Sequence, residues 1–164
     1  MEKISALGLD IGRRRIGVAG CDGTGLIATG LTTIERTSFQ QTISQLQKLI
    51  EEREVQILVV GLPYSLNGTI GFQALEVQKF ALRLAKTLQL PVEYVDERLT
   101  SVEAQEQLVR QKSLPKPARD RFSSQAKGTI DRVAAAIILQ QWLDAKRLAA
   151  KSLCQNPQFI VENR

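Results

Sequence analysis

An α/β domain built on one mixed five-stranded sheet, with helices on both faces, is the fold class this sequence predicts. Three short strand-like runs follow one another with only brief turns between them, which implies an antiparallel meander. Beyond them the apolar period alternates between that of a helix and that of a strand, which implies parallel strands joined by helical crossovers. The size and composition are those of one ordinary domain. There are 164 residues, 43% hydrophobic and 24% charged, where roughly 150 residues make a domain and about 70% of the unfolded surface is then buried. We expect that domain to span residues 1–152, followed by a loose tail over 153–164.

Ile4 to Ile11 is mostly apolar, as a strand buried on both faces must be. A polar turn opening with Gly12 leads to a second strand, Arg15 to Cys21. Asp22-Gly23-Thr24-Gly25 is a strong turn signal, and Leu26 to Ile34 reads as the third strand. Ser38 and Gln41 have capping-box spacing. Phe39, Ile43, Leu46, Leu49 and Ile50 then recur at steps of three and four, predicting a helix to about Glu54. Val55 to Val60 is a short strand ending in Gly61-Leu62-Pro63, and a polar loop runs from Tyr64 to Gly71. Val77, Phe80, Ala81, Leu84 and Leu88 share one face of a second helix, and Pro91 to Val95 is the fifth strand. Thr100 and Glu103 cap a helix to about Gln111, residues 112–123 read as a loop, and a last helix runs from Ser124 or Thr129 to Lys146 or beyond. The order is βββαβαβα with one further helix, the order of ribonuclease H-like folds.

There is no histidine. That removes a Ser-His-Asp triad, a Cys-His pair and every histidine-ligated metal. Two cysteines, Cys21 and Cys154, make neither a disulfide framework nor a zinc site. No run approaches the about 18 apolar residues of a membrane span. The N-terminus lacks a signal peptide's apolar region, so a cytoplasmic location is expected. Net charge is 22 − 17 = +5 with a pI near 9.5, a balance that suits a polyanionic partner.

Catalysis in such a chain must come from carboxylates, lysine, hydroxyls or a hard metal ion. Asp10 is a charge inside an apolar strand and needs a partner there, either a metal ion or an arginine such as Arg13 or Arg15. Gly12 and Gly17 permit a tight turn and close approach to a ligand. Asp96-Glu97-Arg98 ends the fifth strand, where open sheets collect ligands. Neighbouring residues of a strand face opposite ways, so only one of the two acids should join Asp10; the plain alternative is a surface Asp96–Arg98 pair. Asp131 lies in line with Ala134, Ala135, Ile138 and Trp142 on an apolar helix face. The alanines would let that helix approach the sheet, although an acid near a helix start also stabilises the helix by itself.

Three acids on three elements, without histidine, point to a carboxylate-only Mg²⁺ or Mn²⁺ site. Two such ions about 4 Å apart can activate a water and stabilise the leaving oxygen of a phosphodiester. The basic residues then gain a role as phosphate contacts. They are Arg13, Arg14 and Arg15 beside the acids, Arg98 after them, Lys116, Arg119 and Arg121 in the 110–121 segment, and Lys127 near the last helix. Asn67, in a loop with Ser65, Gly68 and Thr69, offers further donors. Each of these also reads as an ordinary solvated surface. Aromatic residues are only 5%, which argues against a base-stacking platform.

Four motifs occur in order: Gly8-Leu9-Asp10-Ile11-Gly12 with Arg15-Ile16-Gly17-Val18-Ala19, Gly61-Leu62-Pro63 with Asn67-Gly68-Thr69, Asp96-Glu97-Arg98-Leu99-Thr100, and Asp131 followed by Ala134-Ala135 and Ile137-Ile138-Leu139. Over roughly residues 4–145 this set resembles the YqgF/RuvX family of ribonuclease H-like proteins. The resemblance implies a RuvC-like nuclease site with Asp10, Glu97 and Asp131 as catalytic, metal-binding carboxylates. It implies a cytoplasmic endo- or exonuclease that matures the 5′ end of the small-subunit ribosomal RNA; an older family label implies a Holliday junction resolvase acting on branched DNA. The chain departs from the family pattern at Cys21, where a serine is usual, and in the Gly23-Thr24-Gly25 turn, and it has no clear fourth carboxylate. The competing readings are a non-catalytic RNA-binding module of this fold and a sugar-kinase or actin-like ATPase, which would need a second such domain.

Overall fold

The computed structural model describes residues 3–63, 71–96 and 123–155. Five strands, β1 (Ala6–Ile11), β2 (Arg15–Cys21), β3 (Ala28–Glu35), β4 (Ile57–Leu62) and β5 (Val92–Asp96), form one sheet in the order β3-β2-β1-β4-β5. The first three are antiparallel, while β4 and β5 lie parallel to β1 and to each other. β1 is therefore the central strand. This is the mixed α/β sheet expected from the sequence.

Alternation along β1 decides what lies on each side. Leu7, Leu9 and Ile11 pack with Leu46 of α1 (Phe39–Arg53) and with Val77, Ala81 and Leu84 of α2 (Phe72–Leu88). Ala6, together with Ala19, Cys21 and Val59, packs on the other face against Ala135, Ile138, Leu139 and Leu143 of α3 (Ser123–Gln155). Leu7, Leu9, Leu58 and Ile138 are among the fully buried side chains; each such aliphatic group contributes about 1.5–3 kcal/mol on burial. Cys21 belongs to the α3 layer, and its thiol donates to the Ile4 carbonyl at 3.5 Å.

Several element ends differ from the sequence expectation, three of them for identifiable reasons. β3 begins at Ala28 rather than Leu26, because the Asp22 carboxylate takes the amides of Leu26 (2.9 Å) and Ile27 (3.0 Å) into the hairpin turn. β4 begins at Ile57 rather than Val55, because the Val55 amide closes α1 onto the Ile50 carbonyl. α3 continues to Gln155, so residues 153–155, expected to be loose tail, are helical; Leu148-Ala149-Ala150-Lys151 contains only good helix formers, and no proline falls between Pro117 and Pro157. Ser38 caps α1 by accepting from the Gln41 amide, as its spacing predicted. The Gln41 side chain does not complete the box: it accepts from Thr37 Oγ1. The expected helix from Thr100 to Gln111 lies outside the described residues. Among those described, no helix is long and apolar enough to cross a membrane.

The Asp22 turn has a pH signature. Donation from Thr24 first, then from the Ile27 and Leu26 amides, holds its carboxyl at about 2, below the ordinary 3.8. A depressed folded-state pKa stabilises above the ordinary value, and that stabilisation is lost as pH falls through the folded value. Amide resonances of Leu26 and Ile27, followed by NMR from about pH 4 to about pH 2, are expected to report loss of this turn in the wild type. In Asp22→Ala the step should be absent.

Candidate functional site

Asp10 stands half-buried one residue before the end of the central strand and faces the α3 side. Its partner across the β1–β2 ladder is Gly17. α3 comes down on that glycine: a Cβ built there would lie 2.0 Å from the Asp131 carbonyl oxygen. The same holds along the helix at Gly8, where a Cβ would meet the Ala135 carbonyl at 2.8 Å and the Leu139 Cβ at 2.7 Å. Two sheet glycines thus form a seat for α3, and the seat brings Asp131 beside Asp10. The sequence reading assigned Gly17 to close approach by a ligand; what approaches it is the helix.

The electrostatics record the juxtaposition. The Asp131 carboxyl is pushed above its ordinary value, first by burial and then by the Asp10 charge, with Arg15 pulling the other way. Arg15 Nε donates to Asp131 Oδ2 at 3.1 Å, with the two side chains 30% and 24% exposed. The sequence offered Arg15 as a partner for Asp10; the ion pair in the structure is with Asp131 on α3. Like charges held close together favour positive charge beside them, and Arg15 supplies one such charge to Asp131. The donors are carboxylate oxygens, the set that hard divalent cations take, so the residues present fit Mg²⁺ or Mn²⁺. Among the described residues no cluster of three potential ligands forms.

The remaining candidates divide sharply. Arg13 and Arg14 are exposed in the β1–β2 turn. That turn is held by the Gly12 amide on the Arg15 carbonyl (2.9 Å), by the Arg36 amide on the Arg14 carbonyl (2.8 Å) and by Arg36 Nη1 on the Gly12 carbonyl (2.7 Å). Arg36 was missed in the sequence because nothing in its neighbourhood marks it; its partners are more than twenty residues away. At the end of β5, Val95 belongs to the α3 layer, whereas Asp96 pairs with Leu62 of the opposite layer. Asp96 is therefore not the acid that joins Asp10. Glu97, Arg98, Asn67, Lys116, Arg119 and Arg121 lie outside the described residues, and Lys127 is placed only as part of α3.

With this geometry established, the chain can be compared with known proteins. A family model described as RuvX, Holliday junction resolvase, matches residues 4–145. A relative from Rippkaea orientalis is 69% identical over 90% of this chain and all of its own length. One from Crocosphaera subtropica is 66% identical over 90% of this chain and 97% of its own. Both carry the provisional name pre-16S rRNA nuclease. Among solved structures, Thermus thermophilus RuvC bound to a Holliday junction substrate superposes with a TM-score of 0.53 at 16% identity, covering 88% of this chain and 96% of that one. That likeness is one of fold.

Proposed function

The chain belongs to the RuvX family and is a nuclease, and from that premise we propose that it trims the 5′ end of precursor 16S ribosomal RNA in the cytoplasm, with Asp10, Glu97 and Asp131 as its metal-binding carboxylates. One observation carries the assignment of the site: Asp10 and Asp131, 121 positions apart by number (131 − 10), meet at Gly17, which pairs with Asp10 across the ladder and carries the Asp131 backbone against it. Glu97 completes the set in this proposal, because the period of two along β5 would return it to the face of Val95. The name shared by relatives 69% and 66% identical supports the substrate.

Bound to these oxygens, Mg²⁺ or Mn²⁺ would polarise the phosphodiester and activate the attacking water. The chain's own part is to hold the oxygens. Asp10 is fixed by the central strand and Asp131 by a helix seated on glycine. Arg15 grips Asp131 Oδ2 and so sets the orientation of that carboxylate. In the reaction water adds to phosphorus in line with the leaving oxygen, whose bond to phosphorus breaks. Arg13 and Arg14, displayed on the turn, would bind flanking phosphates, and in this proposal Asn67, Arg98, Lys116, Arg119, Arg121 and Lys127 extend the track.

A second reading, resolution of branched DNA, is favoured by the family's description. Labelled precursor ribosomal RNA and a four-way DNA junction, incubated side by side with Mg²⁺, Mn²⁺ or EDTA, separate the two. We expect divalent-ion-dependent cutting of the RNA and none of the junction. Cutting of the junction alone would establish the resolvase. RNA binding without cutting of either substrate would favour the non-catalytic module.

A further inference from the structure

On the opposite side of the sheet from Asp10, the β1–β2 turn borders a cleft of about 470 Å³ against α2. Ile11, which packs with the α1 and α2 layer, lines it together with Gly12 and Arg13. Four of the lining side chains are cationic, Arg13, Arg36, Lys79 and Arg83, and one, Glu76, is anionic. Among the described residues none of the four cations is in an ion pair. Cations gathered around a concave surface repel one another, and an anionic ligand relieves that repulsion.

Two of these cations are also fixed in place. Arg36 sits over the Phe80 ring at 4.1 Å, and Arg83 sits over the Phe39 ring at 3.8 Å. The two rings meet edge to face, with centroids 6.0 Å apart. A guanidinium held over an aromatic ring loses side-chain freedom but keeps its charge and its in-plane donors. The arrangement is thus ordered before any anion arrives. Phe72 also lines the cleft and is 75% exposed, a large apolar ring outside the core.

Cations spaced along a cleft fit a chain of phosphates, and an exposed ring beside them fits an unpaired base. A duplex offers no free base face to such a ring, because its bases are already stacked. We propose that this cleft binds the backbone of single-stranded RNA flanking the scissile bond, with Phe72 stacking one base. The inference rests on the nuclease reading. It adds a second contact surface, behind the acidic pair and joined to it by the Gly12–Arg13 turn, so that a bound strand passes around the end of β1.

The test is fluorescence-anisotropy titration of labelled oligo-uridine across a salt series, in an Asp10→Asn background that leaves the RNA uncut. Each phosphate contact in a single strand adds about 0.7 to the slope of log K against log salt. Lys79→Gln with Arg83→Gln is therefore expected to lower the slope by about 1.4. Lys48→Gln with Lys86→Gln removes the same charge outside the cleft lining and should leave the slope unchanged. Phe72→Ala should weaken binding by about fivefold or more without altering the slope, as loss of one stacked base does. Lys79→Glu alone should also lower the slope, which keeps the test open if the double variant folds poorly. An unaltered slope in the Lys79 and Arg83 variants, or an equal loss in the Lys48 and Lys86 control, overturns the cleft. If the wild-type protein still cuts RNA in an Asp10-dependent manner, the nuclease reading survives that result. A wild type that binds oligo-uridine through the cleft but cuts no RNA would instead overturn the nuclease reading alone. A wild type that neither binds nor cuts RNA would overturn both.

Discussion

Asp10→Asn is expected to lower the rate of RNA cleavage by at least about 10³-fold, because divalent-ion stabilisation of a phosphodiester transition state is worth several kcal/mol. The fold should be retained, and the substitution should change how stability depends on pH in EDTA. Asp131 has a raised folded-state pKa, partly because of Asp10. A carboxyl raised in the folded state carries no penalty below its ordinary value, where both states are protonated. As pH rises through the raised value, the folded state must hold a disfavoured anion, and stability falls. Melting in EDTA should therefore show wild type losing ground to Asp10→Asn as pH rises through that window. Saturating Mn²⁺ should raise the melting temperature of wild type more than that of the variant, since only wild type presents the full anionic set. Retained cleavage by a clean Asp10→Asn preparation would remove Asp10 from the site. Equal Mn²⁺ shifts for the two proteins would remove the ion from between the carboxylates.

Gly17→Ala is expected to be as damaging as a loss of core packing, although it adds one methyl group. That methyl would stand 2.0 Å from the carbonyl oxygen of Asp131, a backbone atom in a helix that cannot swing aside as a side-chain tip can. α3 would have to lift from the sheet over the stretch that carries Asp131. Overpacking costs about 1–3 kcal/mol and occasionally more, and here the upper end is expected, about 3 kcal/mol. Cleavage should fall further than stability, because the same displacement separates Asp131 from Asp10. Gly23→Ala supplies the comparison: its added methyl would meet nothing nearer than a Lys3 side-chain carbon at 3.7 Å. Urea titration and cleavage assays on the two variants check both statements. A Gly17→Ala protein of wild-type stability would show that α3 does not rest on that glycine.

The element order was legible in the chain itself, because strand and helix periods are local and because Asp22, Ser38 and the apolar steps of α1 and α2 act on their immediate neighbours. The absence of histidine limited the chemistry to carboxylates, lysine, hydroxyls or a hard metal ion. Asp10 and Asp131 stood out as charges in apolar surroundings, which is a one-dimensional signal. Three things were decided only by the tertiary structure. Arg15 pairs with Asp131, a choice set by where α3 lands. Gly17 serves as a seat for that helix, which depends on a backbone 114 positions away (131 − 17). The cleft gathers Arg13, Arg36, Lys79 and Arg83 from β1–β2, the end of β3 and α2. Each of these is a meeting of distant segments, and periodicity carries no information about distance across a sheet. Local sequence determined which residues would need partners; the packing of α2 and α3 against opposite faces of β1 determined which partners were within reach.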